Sequence, residues 1–128
     1  MIFPNPNRLF RFRGPDRKKV KDREMSDDYR NAEKFGRVRL GNLYFYYRDL
    51  GVKHFVPYDY IHRAFTRISE CPEDEFSNNA VYYRLILEHN GKEFANLIFN
   101  TEAPVEKLYE RLSVVAPDIA IGFVKQQK

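Results

Sequence analysis

The spacing of apolar residues changes twice along the chain. In residues 15–35, Val20, Met25, Tyr29, Ala32 and Phe35 recur at steps of five, four, three and three, the stripe of a helix. Pro15 suits a first-turn position. Alternatively, Ser26 or Asp27 caps a shorter helix that ends at Gly36. From Arg37 the period becomes two. Val38 and Leu40 alternate with arginines, Gly41-Asn42 marks a turn, and Leu43, Phe45 and Tyr47 alternate with Tyr44 and Tyr46. Asp49-Leu50-Gly51 makes the next turn, ahead of a short strand over 53–57. Residues 60–68 alternate again, with Tyr60, His62, Ala64 and Thr66 on one face and Ile61, Arg63, Phe65 and Arg67 on the other. An acidic stretch around Pro72 predicts a loop over 70–79. Residues 80–89 form the strongest strand, and Asn90-Gly91 predicts a hairpin into 93–100. Thr101 then caps a helix with Pro104 in its first turn and Val105, Leu108, Tyr109, Leu112 and Val115 on one stripe. Pro117 stops it, and Ile119, Ile121 and Phe123 predict a last short strand. A helix, about six short strands and a closing amphipathic helix indicate an α+β fold, mainly antiparallel β, or a capped barrel.

Composition narrows the class. The chain has 128 residues, enough for one core, and 16% are aromatic, with 11 Phe, nine Tyr and no Trp. The net charge of +4 is unevenly spread. Residues 1–23 carry eight basic and two acidic residues, a charge of +6, and the remainder carries −2. Residues 1–25 thus read as a basic, part-helical N-terminal arm and 26–128 as the folded domain. In the arm, Phe10 and Phe12 alternate with Arg11 and Arg13. The single cysteine, Cys71, excludes an internal disulfide and fits a reducing compartment. The N-terminal residues lack the apolar run of a signal peptide, and no stretch approaches 18 apolar residues. The expected location is the cytoplasm.

From residue 36 to 115 the pattern resembles the bacterial pleckstrin-homology-like (PH-like) family. The resemblance rests on Val56, Pro57 and Ile61 at the start of a basic-aromatic strand, on the Leu85–Leu87 strand with its Asn90-Gly91 hairpin, and on the closing helix. It implies a bent, partly open β-barrel of six to seven strands capped by the C-terminal helix. The N-terminal helix and arm and the segment after Pro117 are additions to it. Some members of the family hold inositol phosphates through a lysine followed by a basic-x-Arg segment. Here Lys34 precedes Arg37-x-Arg39 at a shorter spacing, and the ordinary reading of both arginines is the solvent face of a strand.

Catalytic patterns are missing: there is no Gly-x-Ser-x-Gly, no phosphate-binding glycine loop and no dinucleotide fingerprint. His54, His62 and His89 lack partners at metal-ligand spacing, although His54 and His62 could meet on adjacent strands. Glu70, Glu73, Asp74 and Glu75 lack the calcium-loop spacing. Acidic neighbours raise the Cys71 thiol pKa, against a nucleophile. The expectation is a non-enzymatic binding module with no cofactor and no metal, working through protein contacts. Its candidate surface is Tyr60, Arg63 and Arg67, near the exposed ends of Tyr44 and Tyr46. The alternative is a binder of nucleic acid or of an anionic membrane surface through Arg11, Arg13, Arg17, Lys18, Lys19 and Lys21.

Overall fold

The computed structural model describes residues 8–71 and 80–125. These contain ten strands and two helices, with the strands in one six-stranded and one four-stranded sheet. The fold is therefore α+β. Six of the eight strand pairings are antiparallel and two are parallel, so both sheets are mixed. Neither sheet closes on itself, and the strand count exceeds the six to seven expected. The chain divides into two compact units, 1–57 and 58–128. The boundary lies well beyond residue 25, because the basic N-terminal segment is built into the first sheet.

The first unit contains β1 (Arg11–Arg13), β2 (Lys19–Lys21), α1 (Arg23–Asn31), β3 (Glu33–Phe35), β4 (Val38–Leu40), β5 (Phe45–Asp49) and β6 (Val52–Val56). Its sheet order is β2-β1-β6-β5-β4-β3. The alternation in β1 buries Phe12, with Arg11 exposed and Arg13 half-buried on either side of it. Asp22 caps α1 by accepting a hydrogen bond from Met25 N at 2.9 Å, so the helix starts seven or eight residues later than the Pro15 reading implies. It also stops sooner. Phe35, expected on the helical stripe, pairs with Val38 in the β3–β4 hairpin. Phe12, Met25, Tyr29 and Tyr46 form a buried aromatic cluster, with Phe10, Tyr44 and Phe55 packed against it. Two polar ties hold it. The buried Ser26 hydroxyl accepts from Phe10 N at 2.9 Å. Asp28 takes the Tyr46 hydroxyl at 2.7 Å and the amides of Asn42 and Leu43. Gly41 sits so close to Asp28 that a Cβ would lie 2.1 Å from its carboxylate oxygen.

The second unit contains a short 3-10 turn (Tyr58–Tyr60), β7 (Arg63–Cys71), β8 (Ala80–His89), β9 (Lys92–Phe99), α2 (Ala103–Val115) and β10 (Ala120–Lys125). Its order is β10-β7-β8-β9, with β10 parallel to β7. Tyr60 thus lies in the 3-10 turn and not in the strand. The expected 70–79 loop is shortened, since β7 reaches Cys71 and β8 begins at Ala80; 72–79, with Glu73, Asp74 and Glu75, lie outside the described residues. Ala64, Leu85, Leu87 and Leu97 share one sheet face with Thr66 and are buried. The Thr66 and Tyr109 hydroxyls hydrogen-bond at 2.5 Å and place α2 on that face. Val105, Leu108, Tyr109 and Leu112 are its buried stripe, while Val115 is exposed. Thr101 falls short of the helix; its N-cap is Glu102, which makes no side-chain capping bond.

Candidate anion-binding surface

The hairpin registers of the first sheet place cations directly opposite cations. Arg11 faces Lys21, Arg13 faces Lys19, Lys34 faces Arg39 and Arg48 faces Lys53. Like charges directly opposed destabilise a sheet. None of the eight forms an ion pair among the described residues, whereas Arg23 and Arg30 both pair with Asp27. Arg39 is anchored by other means, with its guanidinium 4.2 Å above the Tyr29 ring and a 3.1 Å hydrogen bond to Tyr29 O. Lys53 senses the crowding. Burial, and then Arg48, Arg8 and Arg39, hold its amine below the ordinary lysine value of 10.5.

Three clefts gather these groups. The first, about 490 Å³, carries Lys34, Arg37, Arg39 and Arg48. The second, about 230 Å³, carries Arg11, Arg13, Lys19 and Lys53. The third, about 520 Å³, carries Arg8, Arg11, Lys21 and Lys53. Among the described residues no carboxylate lines any of them. Gly51 lines both the first and the second, so these two flank the tip of the β5–β6 hairpin.

That tip breaks two local rules. Asp49 pairs with Val52, leaving Leu50 and Gly51 as a two-residue turn with φ of 52° and 77°. Both central positions of such a turn lie in the left-handed region, where Asn or Gly is favoured and leucine is not. Leu50 is also 93% exposed. Strained, exposed apolar residues point to function more than to folding.

The other residues singled out from sequence fall as follows. Arg17 and Lys18 occupy the exposed β1–β2 turn, where Lys18 N donates to Asp16 at 3.0 Å. Tyr44 is partly buried against the aromatic cluster. Tyr46 is fully buried, which removes it from any contact surface; β5 is covered on both faces, so strict alternation fails there. Tyr60 stacks on His89 at 3.8 Å. Arg63 pairs with Glu88 at 3.7 Å and Arg67 with Glu93 at 2.8 Å, and both guanidiniums lie over the Phe65 ring. His62 lies 4.6 Å from His89 and accepts from Asn90 N, whereas His54 stacks on Tyr47 at 4.7 Å. Among the described residues no three His, Cys, Asp or Glu side chains group as metal ligands.

Of the ten cations lining these clefts, sequence reasoning points to Arg11, Arg13, Lys19 and Lys21 for anion binding, and reads Arg37 and Arg39 as the solvent face of a strand. It missed Arg8, Arg48, Lys53 and Leu50. The Arg48–Lys53 opposition follows from centring the hairpin on Leu50-Gly51, so turn geometry carried the signal. No family model matches the chain, and no curated protein or solved structure matches it.

Proposed function

We propose that this protein is a non-enzymatic binding module that docks on an anionic membrane surface through its first unit. The observation that carries this reading is the β5–β6 tip, an exposed leucine standing between two cationic clefts. An apolar side chain enters the acyl boundary while flanking cations meet lipid phosphates. Each basic residue near such a surface contributes about 1 kcal/mol at modest salt. No described helix is long and apolar enough to cross a membrane, and docking of this kind requires none. Protein contacts through Tyr60, Arg63 and Arg67 draw less support, since both arginines already have carboxylate partners. The PH-like resemblance is supported by the antiparallel β7–β8–β9 meander followed by α2, and is strained by the parallel β10.

The test is vesicle co-sedimentation of the full chain, with anionic and zwitterionic vesicles at two salt concentrations. Anionic vesicles are expected to capture the protein in a salt-sensitive manner. The Arg48→Gln/Lys53→Gln double variant is expected to bind about thirtyfold more weakly, the loss of two such charges. Capture that ignores Leu50→Asn, together with tight binding of single-stranded RNA, would replace the membrane by nucleic acid as the partner.

A further inference from the structure

The two sheets end in four edge strands, and three of these are blunted. β2 is Lys19-Val20-Lys21 and β3 is Glu33-Lys34-Phe35, each three residues long and charged. β10 is longer but contains Gly122 and ends on Lys125. Short length, edge charges and interior glycines all oppose pairing with a further strand. β9 has none of these devices over Ala95-Asn96-Leu97-Ile98-Phe99. Its charges, Lys92 and Glu93, stand at its start, ahead of a register shift beside Leu87 and Glu88. From Ala95 to Phe99 it pairs regularly with Leu87 to Tyr83 of β8, and among the described residues no backbone hydrogen bond reaches its other side. Alternate amides and carbonyls of such a strand point away from its single neighbour. Ala95, Leu97 and Phe99 are buried on the face that α2 covers, while Asn96 and Ile98 are exposed on the other, Ile98 at 39%.

We infer that β9 is a dimerisation edge, on which the β9 of a second copy pairs antiparallel about a two-fold axis at Leu97. The inference goes beyond the docking reading and does not depend on it. Three observations select a second copy as the occupant. Directly opposed side chains share a face of the sheet, so only registers whose residue numbers sum to an even value set buried positions against buried ones. Of these, the axis at Leu97 pairs the whole uncharged stretch with itself: Ala95 opposite Phe99, Asn96 opposite Ile98, and Leu97 opposite its counterpart. The smallest side chain of the stretch thus meets the largest, and symmetry repeats the match. The same register brings the Lys92 end of one copy to the Glu102 end of the other, a cation to an anion on both sides of the axis, and neither residue forms an ion pair among the described residues. The product is a continuous eight-stranded sheet of order β10-β7-β8-β9-β9-β8-β7-β10, within the ordinary size range of sheets.

The experiment is sedimentation velocity of the full chain over a wide concentration range, on wild type and two double variants. These are Asn96→Glu/Ile98→Glu and Asn96→Lys/Ile98→Glu. Position 96 of one copy faces position 98 of the other, so the first variant opposes like charges twice and the second opposes unlike charges twice. Any cost of Ile98→Glu to the fold is common to both, and thermal melts check that the two are equally folded. Wild type is expected to form a reversible, concentration-dependent dimer. The first variant is expected to dimerise at least about tenfold more weakly than the second. A wild type that stays monomeric at every concentration overturns the proposal and leaves the edge to an extended segment of another protein. Equal dimerisation in all three chains places the interface elsewhere and overturns it. Equal loss in both variants overturns the register and the pairing with it.

Discussion

Both units contain a hairpin closed by two residues with positive φ, and the residues chosen differ. In the second unit the turn is Asn90-Gly91, with φ of 52° and 78°, the residues such geometry favours. In the first it is Leu50-Gly51 at nearly the same angles. The charges beside the turns differ in the same direction. The second sheet also opposes like charges, Arg67 to Arg84 and Glu88 to Glu93, but there Arg63 and Arg67 are taken by Glu88 and Glu93. Among the described residues, the four opposed cation pairs of the first sheet form no ion pair with a carboxylate. Residues 1–57 hold 14 basic and seven acidic residues, a charge of +7, and 58–128 hold eight and 11, a charge of −3. The second unit pairs two of its arginines with carboxylates, and the first keeps a cation excess that suits an external anion.

The largest expected effect tests whether the N-terminal segment belongs to the first unit. Phe12→Ala removes a buried ring from the aromatic cluster and should destabilise that unit by about 3–5 kcal/mol, read by chemical denaturation. Near-zero loss would restore residues 1–25 as a separate arm. In the second unit, Tyr109→Phe leaves the buried Thr66 hydroxyl without its partner and should cost about 1–3 kcal/mol, with Thr66→Val/Tyr109→Phe recovering part of it. Burial pushes the Tyr109 hydroxyl up to about 12, partly offset by the Thr66 hydrogen bond. Its raised value contributes stability that is complete below pH 10 and fades as pH rises towards 12, an alkaline loss absent in the phenylalanine variant.

Exchanging the turn residues sharpens the comparison directly. Leu50→Asn should stabilise the first unit by about 1 kcal/mol by relieving the left-handed leucine, and should abolish vesicle capture. Asn90→Leu should cost about as much without conferring binding. If Leu50→Asn destabilises, the leucine serves the fold. Arg48→Glu converts the opposed Arg48–Lys53 pair into an attractive one, and a gain of about 0.5 kcal/mol in melting experiments should accompany weaker docking. The smallest effect is a pH response. Burial, reinforced by Arg13 and opposed by Asp49, holds His54 below its ordinary 6.5. The neutral ring is favoured in the fold, so this contribution is complete above pH 6.5 and is lost as pH falls through the lowered value. His54→Asn should flatten that acid limb of the stability profile.

The most legible elements were those whose pattern and turn chemistry agree. β8, the Asn90-Gly91 hairpin and the Val105–Leu112 stripe of α2 follow from local periodicity. The 15–35 segment misleads because Val20 and Phe35 fall on a helical period by coincidence. Their true partners, Phe12 and Val38, are strand neighbours, and pairing across a hairpin leaves no trace in the spacing of one segment. Tyr46 escapes for a related reason, since burial on both faces of β5 depends on α1. The cations of residues 1–23 stood out as a run, whereas Lys53 and Arg48 became members of the surface only once register set them beside it.

The parallel β10 has a consequence for how the chain behaves among its own copies. Without it, the nine-residue β7 would present a row of unpaired amides and carbonyls, a template on which another chain's strand can add. β10 occupies positions 63–68 of that row through register pairs that begin at Ala120–Arg63. β10 in turn forms the sheet edge, so a nine-residue edge is exchanged for a six-residue one, and because β10 pairs far back along the chain, β7 stays open to intermolecular pairing until that strand has arrived.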